Sequence, residues 1–188
     1  MMEWSVATVS RLIAVALQIA AAIAVIKIAR PKRGEVKAAF LAGAVCGAYD
    51  WTIEAIAYKK GLWFCYGGIQ KIALGDMTID FMHVPIDMVI GFVFYGVIIS
   101  FVSIYREIAD RYERLAGRLH PGYDAVRLAA VLILFSFGGA TVDFASKKLG
   151  IWQNGPTWSY LDTALVAWLP LNALTVFTFR AARLLLRR

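Results

Sequence analysis

Charge is scarce in this chain of 188 residues: Lys, Arg, Asp and Glu together make up 18% of it, against about 25% in a soluble domain. Histidine occurs twice and cysteine twice. That is too little for a metal cage, for a disulfide-stapled secreted domain, or for the paired-histidine helices of a haem protein or di-iron desaturase. A pairing of Cys46 with Cys65 is left open; Cys46 lies in an apolar run that suits core packing, and Cys65 stands beside Trp63. There is no Gly-rich phosphate loop, no nucleophile elbow and no zincin motif, and ATP-driven or redox chemistry has no support in the sequence. No cofactor is expected.

Hydrophobic residues fill the space, at 60% of the chain with a mean hydropathy of +0.64. That excludes a disordered chain and argues against a nucleic-acid module, even though the net charge is +7. A membrane helix needs roughly 20 apolar residues. The pattern predicts a single all-α domain, 1–188: a polytopic transmembrane helical bundle of about five spans. The spans are expected at 5–26, 36–58, 83–105, 125–146 and 160–179. Pro85 falls in the first turn of the third and Pro170 near the middle of the fifth. Residues 61–82 read as a polar connection. A cytoplasmic helical extension is expected at 106–119, supported by the i,i+4 pairs Glu107/Arg111 and Asp110/Arg114 and stopped at His120-Pro121-Gly122.

This topology places 14 of the 20 basic residues on one side, and Arg11, Lys59, Lys60, Lys71, Lys147 and Lys148 on the other. The bias orients a multi-pass cell-membrane protein with its amino terminus outside and its carboxyl terminus cytoplasmic. The +7 is thus a topology signal, and no nucleic-acid partner is expected. A homo- or hetero-oligomer is compatible with the size.

The sequence also repeats. Residues 52–63 (TIEAIAYKKGLW) align without gaps on 141–152 (TVDFASKKLGIW), and Pro85-Ile86-Asp87 has a counterpart in Pro170-Leu171-Asn172. The halves, about 36–105 and 125–185, are expected as parallel repeats about an axis along the membrane normal.

Four acids fall at one outer depth. Asp50 and Glu54 share a face of the second span, Asp143 matches Glu54 through the repeat, and Asp87 starts the third span near His83. Ionisable residues at membrane depth are costly and usually functional. Carboxylates crowded in a low dielectric cannot all carry charge, so a protonated one facing an apolar cavity would be a general acid. Asp87, Glu54, Asp50 and Asp143 are therefore the candidate catalytic residues; the bland alternative is interhelical hydrogen bonding. Trp63 and Trp152, like Trp4 and Trp158, fit an interfacial belt by default, whereas Trp51 and Trp168 lie deeper, where an aromatic face could line a cavity. With His83 and Asn172, Trp51, Trp63, Trp152 and Trp168 make up the candidate substrate-binding set.

The order acid, Gly-x-Trp (Glu54, Gly61-Leu62-Trp63), then Pro85-Ile86-Asp87-Met88 and an aromatic-rich helix resembles the small multi-span lycopene cyclases, in heterodimeric and fused forms. The resemblance covers about 47–101 and, faintly, 138–179. It implies an isomerase of carotenoid biosynthesis that protonates a polyene through the Pro-x-acid element, with an isoprenoid or other lipid as substrate. Two departures stand out: Met88 occupies the place of the family's second acid, and Asn172 cannot ionise. The other reading is a non-enzymatic membrane protein, either a cation- or proton-coupled transporter or a subunit of a larger complex.

Overall fold

A computed structural model of the chain describes residues 6–66, 68–74, 77–104 and 121–186. The expected extension at 106–119 and Trp4 lie outside them. Five helices carry the fold: α1 (Val6–Ala29), α2 (Arg33–Lys60), α3 (Ile86–Ser103), α4 (Pro121–Ser146) and α5 (Tyr160–Leu185). Four of them, α1, α3, α5 and the Ala125–Leu149 stretch that includes most of α4, are long and apolar enough to cross a membrane.

The exception is α2, and the reason lies in its packing. It has 28 residues and sits at the centre, against α3 on one side and α5 on the other. Its Glu35 and Asp50 are buried, so these two acids face protein. By contrast α1, which packs on α3, and α4, which packs on α5, bury few residues and expose Ile13, Leu17, Ile133 and Leu134. Apolar faces turned outward and polar residues turned inward are what a bilayer solvent selects.

Small residues let the central helices touch. Gly43 on α2 lies against the Val93 carbonyl, and a Cβ on Gly96 would stand 2.7 Å from the Gly43 Cα. Below this crossing Ala38, Ala39 and Ala42 pack with Val97, Phe101, Phe179 and Ala22.

The all-α expectation needs one amendment. Residues 61–82 are not a featureless connection: β1 (Trp63–Cys65) pairs antiparallel with β4 (Trp152–Asn154), and β2 (Lys71–Leu74) pairs antiparallel with β3 (Met77–Asp80). The first ladder joins the two loops at one end of the bundle. The second is closed by an exposed Lys71–Asp80 ion pair of 2.9 Å; the lysine holds the Asp80 carboxyl below its ordinary value. A left-handed glycine precedes each strand of the ladder, Gly61 (φ 65°) capping α2 and Gly150 (φ 67°) capping the 3-10 turn Lys147–Leu149 that follows α4, a conformation that favours residues without a Cβ.

Two helix ends also shift from the sequence expectation. Pro85 precedes α3 as its N-cap rather than lying inside it, and His83 stands outside the helix at φ 64°. The helix α5 runs to Leu185 and accommodates Pro170 by a π turn at Thr163–Trp168. A proline inside a helix lacks an N–H and crowds the carbonyl four residues back; widening the preceding turn relieves both.

Candidate functional site

At the loop end, all five helices and the β1–β4 ladder line a mostly apolar cavity of about 170 Å³. Asp50, Glu54, Asp87 and Asp143 all line it. The helix spacing of α2 puts Asp50 and Glu54 one turn apart on the inward face. Asp87 sits in the first turn of α3, where its carboxylate suits the helix dipole. Loop residues then close over it: the Ile69 N–H donates to Asp87 Oδ1 (2.8 Å), and the Gly68 N–H donates to Thr8 Oγ1 (3.3 Å). Gly68 leaves no room for a Cβ beside that carboxylate and has φ 75°.

Each acid has distinct partners. Glu54 Oε2 accepts the Cys65 thiol (3.1 Å). Burial keeps this thiol well above its ordinary pKa, and the Glu54 carboxylate adds to the effect, so it stays S–H and can donate. Asp143 Oδ2 accepts the Trp168 indole N–H (2.6 Å). Asp50 Oδ2 and Asp87 Oδ2 are buried with no hydrogen-bond partner among the described residues, and so is the indole nitrogen of Trp63. Buried polar atoms are nearly always satisfied. Two acceptors and one donor left over on one cavity therefore indicate a place built for a polar group or an incoming ligand. Both cysteines are free, and Cys46 is buried away from Cys65 among helix residues.

Of the candidate binding residues, Trp63, Trp152 and Trp168 line the cavity. Trp51, His83 and Asn172 do not. Trp51 follows Asp50 and so points about 100° away from it; it is 37% exposed, and its indole reaches the Phe81 carbonyl. His83 is exposed and stacks on Tyr58 at 4.5 Å. Asn172 lies about three turns into α5, fully buried below the cavity. It accepts the Tyr95 hydroxyl (2.7 Å) and donates to Ser136 Oγ (3.0 Å). Asp87, its counterpart by alignment, starts its own helix, which explains their different depths.

Sequence reasoning placed Arg11 with the outward charges. In the structure it is 5% exposed and lines the cavity; its Nε donates to the Tyr66 carbonyl (2.8 Å) and its terminal nitrogen lies 3.6 Å from Met88 Sδ. The cavity thus holds four carboxyl groups and one guanidinium. A single arginine in an otherwise apolar helix was the available signal. Met88, where an acid was looked for, instead meets this arginine.

Trp168 owes its position to Gly139. A Cβ on Gly139 would fall inside the indole ring, so only glycine lets the ring cross α4 and reach Asp143. Phe92 (5.3 Å) and Tyr95 (5.4 Å) pack on the same ring. Gly139→Val is expected to displace Trp168, shift its fluorescence, and cost about 1–3 kcal/mol in thermal unfolding, as overpacking does. Gly138→Val next to it, where the added Cβ meets nothing within 4 Å, should stay within about 0.5 kcal/mol. Equal effects at both positions would show that the Trp168 seat is not responsible.

Among the described residues, no three His, Cys, Asp or Glu side chains are grouped to share one metal ion. The acids are spaced around the cavity wall. No family model matches the chain, and neither a curated protein nor a solved structure matches it.

Proposed function

We propose that this is a multi-pass membrane enzyme that delivers a proton to a carbon–carbon double bond of an apolar isoprenoid or related lipid, as a cyclase or isomerase. One observation carries the reading: Asp50, Glu54, Asp87 and Asp143 converge on one mostly apolar cavity that also presents the Trp168 ring. In this reading α2 crosses the bilayer with its four neighbours, the loop end faces outward, and α5 ends in the cytoplasm. The basic residues on loops and helix ends support that orientation, more so with Arg11 removed from the outer set.

The chemistry follows from the lining. Four carboxyl groups and one guanidinium on one mostly apolar wall leave three negative charges in excess if all ionise, and a low dielectric disfavours that state, so at least one proton is retained. A retained proton on such a wall is available to an alkene. The face of an indole attracts a cation, and Trp168 is among the residues that line the cavity. A cavity of about 150 Å³ accepts a benzene-sized ring, so about 170 Å³ suits one end group of a long isoprenoid. The remainder of such a chain would lie between helices in the lipid. The sequence resemblance to small lycopene cyclases supports a polyene as the substrate. The alternative, a coupled carrier, would use Asp50 Oδ2 and Asp87 Oδ2 as cation ligands.

Expression in lycopene-accumulating cells, with pigment extraction, tests the reading. Wild-type protein is expected to convert lycopene to a product of equal mass, and Asp87→Asn and Glu54→Gln to reduce conversion at least about a hundredfold, the scale of a lost general acid. An unchanged pigment profile with folded wild-type protein would sink the lycopene version. Cation-dependent thermal stabilisation lost in Asp50→Asn would favour the carrier.

A further inference from the structure

The β1–β4 ladder has an internal symmetry. Its pairs are Trp63 with Asn154, Phe64 with Gln153, and Cys65 with Trp152. Adding 89 to each β1 number gives a β4 residue, and the exchange maps the ladder onto itself about the Phe64–Gln153 pair. The flanking bonds obey the same rule. Tyr66 N–H donates to the Ile151 carbonyl (2.9 Å), and its counterpart Gly155 N–H donates to the Leu62 carbonyl (2.6 Å). Leu62 N–H bonds to the Ala57 carbonyl as Ile151 N–H does to that of Ser146, and Gly61 to Tyr58 as Gly150 to Lys147. Gly61 and Gly150 share φ within a few degrees. Further back, within α2 and α4, Thr52 and Thr141 each donate to the carbonyl four residues before, at 2.8 Å in both cases. The same shift carries Glu54 onto Asp143.

Resting on the reaction class proposed above, we infer that a local twofold axis runs through this ladder and makes Glu54 and Asp143 an acid–base pair. Glu54 delivers the proton and Asp143 collects one. The acids do not stand alone as evidence of a site: Trp63, 3% exposed, lines the same cavity, and its indole nitrogen is buried with no geometric hydrogen-bond partner among the described residues.

Broken symmetry assigns the roles. The counterpart of Asp50 is Gly139, whose missing side chain admits Trp168. Asp143 therefore accepts the Trp168 indole N–H at 2.6 Å, a bond that the 89-residue shift does not reproduce at Glu54, where the Cys65 thiol is accepted at 3.1 Å. A thiol is a weak donor; the stronger N–H bond suits the carboxylate form. In the step, the Glu54 O–H bond breaks and the alkene π electrons form the new C–H bond, leaving a carbocation. A C–H bond adjacent to the cation then breaks, its electrons form the new double bond, and Asp143 takes that proton. Substrate and product have the same atoms, and the enzyme has moved one proton from Glu54 to Asp143. Asp50, one turn from Glu54 on α2, is placed to return it.

Infrared titration of the purified protein in lipid nanodiscs, without substrate, tests the pair. The probe is the C=O stretch of protonated carboxyl groups. Arg11, Asp50, Cys65 and Asp87 face the same cavity, so the titrations are repeated in Asp50→Asn and Asp87→Asn backgrounds. Glu54→Gln is expected to abolish the band present at neutral pH and to change the proton affinity of Asp143 about tenfold or more. Asp143→Asn should change that of Glu54 comparably, and the reciprocal exchange Glu54→Asp with Asp143→Glu, which preserves charge if a single variant misfolds, should retain the band. Independent titrations, or a neutral-pH band that survives Glu54→Gln, would overturn the pairing. Coupled titrations with no lycopene conversion would leave the pair standing and reject only that substrate.

Discussion

Arg183→Met is expected to lower the stability of the folded protein by about 3–5 kcal/mol, the cost of breaking a buried ion pair by removing one partner. Arg183 is 7% exposed and Glu35 4%. Two guanidinium nitrogens of Arg183 each lie 2.9 Å from Glu35 Oε1, and Glu35 Oε2 accepts the Lys32 N–H that opens α2. One carboxylate thus ties the start of α2 to the end of α5. Removing the arginine leaves that carboxylate buried with less compensation. Replacing both residues together, Glu35→Leu with Arg183→Met, should recover most of the loss, because an apolar pair avoids the desolvation cost. Thermal unfolding in nanodiscs reads both effects. A loss under about 1 kcal/mol for Arg183→Met would place the pair with solvated surface bridges.

Gly43→Leu is expected to be as damaging or worse, at about 3 kcal/mol or more, the upper range of overpacking. Its side chain would have to enter the Val93 backbone carbonyl, which is part of α3 and cannot rotate away. A Cβ at Gly47, one turn along, would lie 2.9 Å from Val93 Cγ2 and 3.0 Å from the Val89 carbonyl. Close approach through small residues four apart is the usual way membrane helices associate, since lipid provides no hydrophobic drive between them. Separating α2 from α3 would also part Asp50 and Glu54 from Asp87, so folded yield and the cavity should fail together. Normal folded yield of Gly43→Leu in membranes would show that the crossing has slack.

The long helices were legible because a bilayer demands runs of apolar residues, and their ends fell within a few residues of expectation wherever glycine or proline marked them. The four acids were legible for the same reason: in such runs a carboxylate stands out. What lay between elements was harder. Strands of three or four residues are too short to display alternation, although Gly75-Asp76 between two four-residue stretches is a hairpin signal. The seat of Trp168 depends on Gly139, and the environment of Arg11 depends on Tyr66 and Met88, all distant in sequence. Trp51 misled because depth in a span says nothing about which way a helix face turns.

The π turn in α5 has a consequence for how its two ends are phased. A single extra residue in a turn rotates everything after it by about 100° relative to an uninterrupted α-helix. From its last residue onward, Trp168, Asn172, Thr175, Phe179 and Arg183 form one inward row that runs from the cavity to the ion pair at the opposite end. At its first residue, Thr163 is buried and its hydroxyl accepts the Trp158 indole N–H. The helix behaves as a shaft with a fixed angular offset: the loop end and the far end can each meet their own partners without either dictating the rotation of the other.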